Sequence, residues 1–441
     1  MLLGLSPLWA QVEQSTQLQP QPAGIAPVEE VVDEGGMLVP PPVSGATFPA
    51  TPASAERSNY LRGGMVFTGA YTDNVIGGRA VNPVSDESYS LAPTVELDKT
   101  TSRTALQLSY APGFTFYQHT SALNEADQNA AINFQYRITE HLTLSARDSF
   151  QKSSNVMNQP LTALSGVEQA PEVANFSIIA PLADRLSNIG NAELSYQLSP
   201  NSMVGASGSF SNLHYPNLSQ VPGLFDASSQ TASAFYSHRL AKRHYVGLTC
   251  RYERLLSYPA GGTNRTSTNA ILMFYSFYPT PRFSFSFYGG PERADTTNLL
   301  SSVHSQSWTP EAGASLNWQG VRSSFALSYS HMVASGGGLI GAVHMDNAIA
   351  SFGQQFTRSL RATLIGGWVQ NDLLDNELFT NGHSTSVLIS LHQRMGQRVE
   401  VGAGYNWLYQ SYSNLPLISA NPVTNREFVS LSYQFERALG R

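Results

Sequence analysis

From Asn59 onward, apolar side chains recur at every second position in segments of ten to fifteen residues, yet never form the run of ~20 that a membrane helix requires. A two-residue period puts successive side chains on opposite faces of a strand. In Arg103–Tyr117 this sets Leu106, Leu108, Tyr110, Phe114 and Phe116 against Gln107, Ser109 and Thr115. In Asn129–Ile138 it sets Ile132, Phe134, Tyr136 and Ile138 against Asn133, Gln135 and Arg137. Only 13% of residues are charged while 41% are hydrophobic, too few charges for a soluble protein of 441 residues. Strands with one apolar and one polar face in such a chain fit a transmembrane barrel, with lipid on one side and water on the other.

The same alternation continues to the end of the chain. It predicts strands over 62–72, 88–97, 103–117, 129–138, 142–152, 186–198, 202–213, 229–240, 244–256 and 265–278, then 281–290, 306–318, 321–333, 345–356, 359–370, 384–394, 398–410 and 426–436. Short turns such as Asp98–Thr101, Thr139–His141, Ala241–Arg243 and Met395–Gln397 alternate with longer loops. A soluble sandwich gives no reason for that rhythm, whereas a membrane barrel has short turns on its periplasmic side and long loops outside. The expected fold is all-β, a transmembrane antiparallel up-and-down barrel of about 18 strands spanning 59–441. Sixteen strands remain the alternative, because the first segment contains Gly63, Gly64 and Gly69 and the second contains Pro93. Tyr71, Tyr117, Tyr136, Tyr215, Tyr245, Tyr258, Tyr278, Tyr288, Trp308, Trp318, Trp368 and Trp407 lie near strand ends, as interfacial girdles require.

Residues 1–10 read as the apolar part of a signal segment, with the basic start missing because no Lys or Arg precedes Arg57. Residues 11–58, rich in Pro, Gln and Glu, read as a disordered periplasmic tether. A net charge of −6 and the absence of a basic cluster interleaved with aromatics exclude a nucleic-acid partner. The single cysteine, Cys250, shares a face with Leu248 and Tyr252 and reads as a small hydrophobe.

The chain closes on Phe428-Val-Ser-Leu-Ser-Tyr-Gln-Phe435, in which Val429, Leu431, Tyr433 and Phe435 alternate up to an aromatic. This looks like the terminal-strand signal read by the barrel-assembly machinery. With the Pro-rich leader, it resembles the functionally uncharacterised porin-type outer-membrane β-barrel proteins of two-membrane bacteria. The resemblance implies an outer-membrane location among lipid and lipopolysaccharide, with residues 11–58 in the periplasm. Six residues follow Phe435, which leaves the register of the last strand open.

A barrel this wide encloses water unless something fills it. The residues expected to line the pore are Arg137, Arg147, Glu193, Arg239, Arg251, Glu253, Arg322, Arg361 and Arg394, set among many serines. Asp73, Asp86, Glu125, Asp127, Asp295 and Asp372 gather in the longer loops. The loop 153–185 is long enough to fold inward and narrow the passage. The expected function is passive diffusion of small hydrophilic solutes, with no cofactor and no metal. The alternative is secretion or anchoring of an exopolysaccharide, in which Phe235 and Phe352 would stack on sugar rings. Catalysis is the weaker reading, since the chain has neither a Gly-x-Ser-x-Gly elbow nor a His-Glu-x-x-His site, and His331 and His392 lack an acidic partner nearby in sequence. The sequence leaves solute identity and oligomeric state open.

Overall fold

A strand in lipid must find a partner for every backbone N–H and C=O, so alternating strands are stable there only if the sheet has no free edge. The computed structural model, which describes residues 59–76, 83–153, 184–217, 224–259, 262–280, 282–298, 303–338, 341–374, 382–412 and 423–439, meets that condition by closure. The strands are β1 (Tyr60–Thr72), β2 (Asp86–Thr100), β3 (Thr104–Tyr117), β4 (Glu125–Arg137), β5 (Leu142–Ser153), β6 (Arg185–Ser199), β7 (Ser202–His214), β8 (Asp226–Ala241) and β9 (His244–Tyr258). They continue as β10 (Asn264–Thr280), β11 (Phe283–Asn298), β12 (Val303–Gln319), β13 (Ser323–Ser335), β14 (Ala342–Gln355), β15 (Leu360–Leu373), β16 (Gly382–Met395), β17 (Val399–Tyr412) and β18 (Val423–Ala438). Each pairs antiparallel with its neighbours in chain order, and β1 pairs with β18 from Tyr60↔Ala438 to Thr72↔Arg426. All eighteen expected strands are present. The regions expected as signal segment and tether, and most of the loop 153–185, lie outside the described residues.

The features that argued for sixteen strands have specific packing roles. A Cβ on Gly63 would stand 2.3 Å from the Phe435 ring, so this glycine is the seat for the terminal aromatic where the barrel closes. The same closure fixes the register of β18. Pro93 lies where the ladder between β2 and β3 is interrupted, from Leu91↔Phe114 to Val95↔Tyr110. The β2–β3 register carries Pro112 opposite it, so the gap omits the rungs of two residues that bring no N–H. Strand β11 runs to Asn298 rather than stopping near Gly290, because Pro291 faces Pro310 of β12 without ending the pairing.

Tight turns hold the short-turn end. The Thr101, Thr139 and Thr357 hydroxyls accept hydrogen bonds from the N–H groups of Thr104, Leu142 and Leu360, each at 3.0 Å, and Gly396 takes the left-handed backbone (φ 79°) of its turn.

Large apolar side chains are exposed around the outside, among them Phe67, Phe116, Leu194, Ile271, Met273, Trp308, Trp318, Leu364, Val429 and Phe435. Exposed apolar surface encircling the barrel is a lipid-facing band. Tyr71, Tyr136, Tyr258, Trp308 and Trp318 belong to its outward aromatics, but Tyr117, Tyr215 and Tyr245 are buried and do not. Tyr117 and Tyr245 have the inward parity of β3 and β9, opposite to the exposed Phe116 and Leu248, and Tyr215 lies just beyond β7 against Gly337. Cys250 is exposed between Leu248 and Tyr252 on the outward face. A nitroxide attached at Cys250 in vesicles is expected to collide with oxygen dissolved in the bilayer and to be shielded from an aqueous nickel chelate. The reverse pattern would place that face in water.

Candidate functional site

The inward face is polar, and neighbouring strands join their side chains across it. On one side Arg62 of β1 contacts Asp98 (2.7 Å), Glu96 (3.8 Å) and Glu436 (3.5 Å). The chain of bonds continues as Gln107 donates to Glu96 (2.6 Å), Asn133 to Gln107 (3.2 Å) and Arg147 to Asn133 (2.7 Å), crossing β1 to β5. Serines pair at Ser207–Ser233, Ser211–Ser229 and Ser286–Ser315. Further round, Glu400 accepts from Arg361 and lies 3.0 Å from His392. Cross-strand bonding of this kind holds long side chains against the wall and leaves fewer of them to reach into the lumen.

The wall opens between β12 and β13. Pairing between β12 and β13 runs only from Gln319↔Ser324 to Ala312↔His331, although both strands extend further towards the long-loop end. Pro310, which brings no N–H, sits just beyond the last rung. Past it, β13 stays paired with β14 to Ser335↔Ala342 and β14 with β15 to Val343↔Leu373, so the end of the β13–β14 hairpin swings away from β12 with β15 still attached. Its tip folds inward. Val333 packs on Leu255 of β9 and Ala294 of β11, which have the inward parity, and is fully buried. The tip ends against the β7–β8 connection, where the Tyr215 hydroxyl donates to the Gly337 carbonyl (3.0 Å) and the Phe225 N–H donates to that of Gly338 (2.8 Å). Gly338 has φ 85° and a Cβ there would stand 2.6 Å from the Tyr215 ring, so only glycine fits this docking point.

Beneath the hairpin lies a buried ionic cluster. Arg251 of β9 makes a forked contact to both carboxylate oxygens of Glu311 at 2.7 Å and a third bond to Glu292 at 3.2 Å. The other Glu292 oxygen accepts the Val333 N–H at 3.2 Å, so the cluster is bonded to the hairpin backbone itself. Both glutamate side chains are at 0% exposure and that of Arg251 at 5%. Glu253 is buried two residues further along β9. Charges at such depth are tolerable only when paired and hydrogen-bonded.

The nine residues expected to line the pore therefore fall into three settings. Arg147, Glu193 and Arg361 are half-buried on the inward wall. Arg137, Arg239, Arg322 and Arg394 stand at the short-turn rim, Arg137 and Arg322 exposed and the other two half-buried. Arg251 and Glu253 are buried rather than on an open wall, and Arg251 is tied to the hairpin through Glu292. Glu292, Arg62, Arg243 and Arg282 were missed. Pro291 hid the continuation that carries Glu292 inward, and Arg243 and Arg282 lie in turns, to which alternation assigns no face. His331 does have an acidic partner, Asp346 at 2.9 Å, but across the ladder rather than along the sequence, as does His392 with Glu400. Phe352 points outward at 40% exposure and Phe235 packs with Met203 and Phe274, so neither ring is presented to a sugar. No group of three metal-ligating side chains occurs among the described residues.

Replacing Arg251 with Met would leave two buried carboxylates without a counter-charge. The expected result is a loss of about 3–5 kcal/mol, read as a lower urea midpoint for refolded protein in lipid vesicles. An unchanged midpoint would show that the cluster does not hold this part of the barrel.

No protein-family model matches the sequence, and no curated protein matches it. Among solved structures, the chain is similar to OpdK of Pseudomonas aeruginosa with vanillate (TM-score 0.42, 9% identity, 86% of this chain and 99% of that one). It is similar in the same degree to OccAB4 of Acinetobacter baumannii (0.41, 10%, 87% and 100%). The FrpB iron transporter of Neisseria meningitidis gives 0.40, 9%, 86% and 83%. At these scores and identities the likeness is a general one, and nothing about cargo follows from it.

Proposed function

We propose that this chain is a passive outer-membrane channel for small hydrophilic solutes, narrowed from the long-loop end by the β13–β14 hairpin. The observation that carries the reading is the pairing of a lipid-facing outer band with an inward face of Ser, Asn, Gln, Arg and Glu on a closed 18-stranded wall. A barrel of that strand number encloses an aqueous passage unless it is filled. In this reading residues 59–441 form the channel, the segment before Asn59 lies in the periplasm beside the short turns, and lipid and lipopolysaccharide surround the band. Arg137, Arg147, Glu193, Arg239, Arg322, Arg361 and Arg394 border the water path, while Arg251, through Glu292, holds the hairpin that narrows it. Terminal aromatics at Tyr433 and Phe435 support insertion by the barrel-assembly machinery. The mixed, bonded charges of the inward wall suit diffusion of hydrated solutes better than tight capture of one ligand.

Refolded protein in planar bilayers is expected to pass steady currents that scale with salt concentration. Replacing Ser335–Ala342 by Asn-Gly, which shortens the hairpin without touching the wall, is expected to raise single-channel conductance about twofold, as removal of a constriction should. Failure of the full-length protein to conduct under any condition would overturn the channel reading.

A further inference from the structure

The residue immediately before each ascending strand occupies an equivalent place at every short turn: Arg103, His141, Asn201, Arg243, Arg282, Arg322, Ser359 and Arg398. The carbonyl of each accepts a hydrogen bond from the end of the next descending strand, at Arg137, Gln197, Arg239, Tyr278, Gln319, Gln355, Arg394 and Gln434 respectively. These bonds continue the strand registers by one rung, so the two members of each rung face the same way. That way is inward. Tyr136, Leu198, Leu240, Trp318, Phe356, Met395 and Phe435 are exposed on the lipid side directly next to the descending members, and adjacent residues of a strand point to opposite faces.

The rungs carry eight arginines (Arg103, Arg137, Arg239, Arg243, Arg282, Arg322, Arg394 and Arg398) and no carboxylate, and among the described residues none of these guanidinium groups forms an ion pair. Arg239 donates to Asn201 (2.9 Å), which holds it without neutralising it. One inward position further from the turns, Arg361 is paired with Glu400, and beside the seam Arg62 contacts Asp98, Glu96 and Glu436, while deeper in the wall Arg251 is held by Glu311 and Glu292. Eighteen strands about 4.8 Å apart and tilted by ~40° give a rim of roughly 110 Å. Eight charges around it lie too far apart to grip one small ligand together. They do set up a continuous positive field, because the mean spacing is comparable with the Debye length of about 10 Å at 0.1 M salt.

We infer that the arginine collar makes the short-turn mouth an anion-selective entrance, favouring small carboxylates, phosphates and other anions over cations of the same size. The inference rests on the channel reading and adds to it the charge class of the solute. Lipid headgroups do not account for the collar, because its members face the lumen. Arg437, at the same end but on the outward face opposite Leu61, is placed to meet headgroups.

The test is the zero-current potential of the refolded protein in a bilayer separating dilute from concentrated KCl. The wild-type protein is expected to show the sign of chloride preference, fading when both compartments are raised towards 1 M, where the Debye length falls to about 3 Å. Changing all eight arginines to Gln is expected to lower the chloride-to-potassium permeability ratio about two- to threefold. The half-collar variant R282Q/R322Q/R394Q/R398Q is expected to fall between, which keeps the test open if the eightfold variant does not refold. Arg437→Gln is expected to leave the ratio where it was. Heat-modifiable gel mobility establishes that each variant has refolded. A conducting, refolded half-collar variant with the wild-type ratio overturns the inference and leaves the channel reading standing, whereas a wild-type protein that passes no current overturns both.

Discussion

Closure of the hydrogen-bond ladder is the constraint from which the remaining features follow. In hydrocarbon no water is present to satisfy an exposed strand edge, so β1 must meet β18 along its whole length. That requirement explains residues that look unfavourable in a strand. Gly63 makes room for the Phe435 ring at the seam, Pro93 and Pro112 sit where a rung is absent, and Pro310 sits where the β12–β13 pairing stops. With every edge joined, alternation then assigns each side chain to lipid or to lumen, and a single residue of slippage would exchange the two.

Where β12 and β13 part, the lumen is narrowed. Upper β12 loses β13 beyond Ala312↔His331, and the end of the β13–β14 hairpin, still joined to β15, makes up the lost pairing by other contacts. It buries Val333 against Leu255 and Ala294, bonds its backbone to Glu292, and docks its tip on Tyr215 and Phe225. The forked Arg251–Glu311 contact and the third bond to Glu292 keep the charges below it satisfied. A buried ion pair is a weak source of net stability, but it discriminates strongly against arrangements that separate its members. This one is therefore suited to holding the hairpin in a single position.

Charge is distributed with the same dependence on depth. Among the described residues the arginines of the turn rungs form no ion pair, whereas Arg62 and Arg361 just above them and Arg251 deeper in the wall are matched by carboxylates of other strands. At the opposite end carboxylates are tied into the loops. Asp86 accepts from Thr120 and His119, Asp73 from Asn425, and Asp226 from Tyr215. The field inside such a barrel is set at the mouths more than along the wall, where opposite charges screen one another.

The sequence by itself determined the architecture. Alternating faces, the rhythm of short and long connections, the count of eighteen and the terminal aromatics all follow from a period of two and from local turn chemistry. Both are properties of consecutive residues, and the bilayer enforces them. What only the tertiary structure decided involves residues distant in sequence. Arg251 and Glu311 are 60 positions apart, and Tyr215 and Gly337 are 122 apart. Parity placed Arg251 and Glu253 on the inward face but could not show that a hairpin would cover them. His331 appeared to lack an acid because its partner, Asp346, lies across a ladder. Most of the arginine collar is legible in the sequence. Arg103, Arg137, Arg239, Arg322, Arg394 and Arg398 take the inward parity of their expected strands, but Arg243 and Arg282 sit in turns, where direction is fixed by the hydrogen bond each turn makes to the next strand.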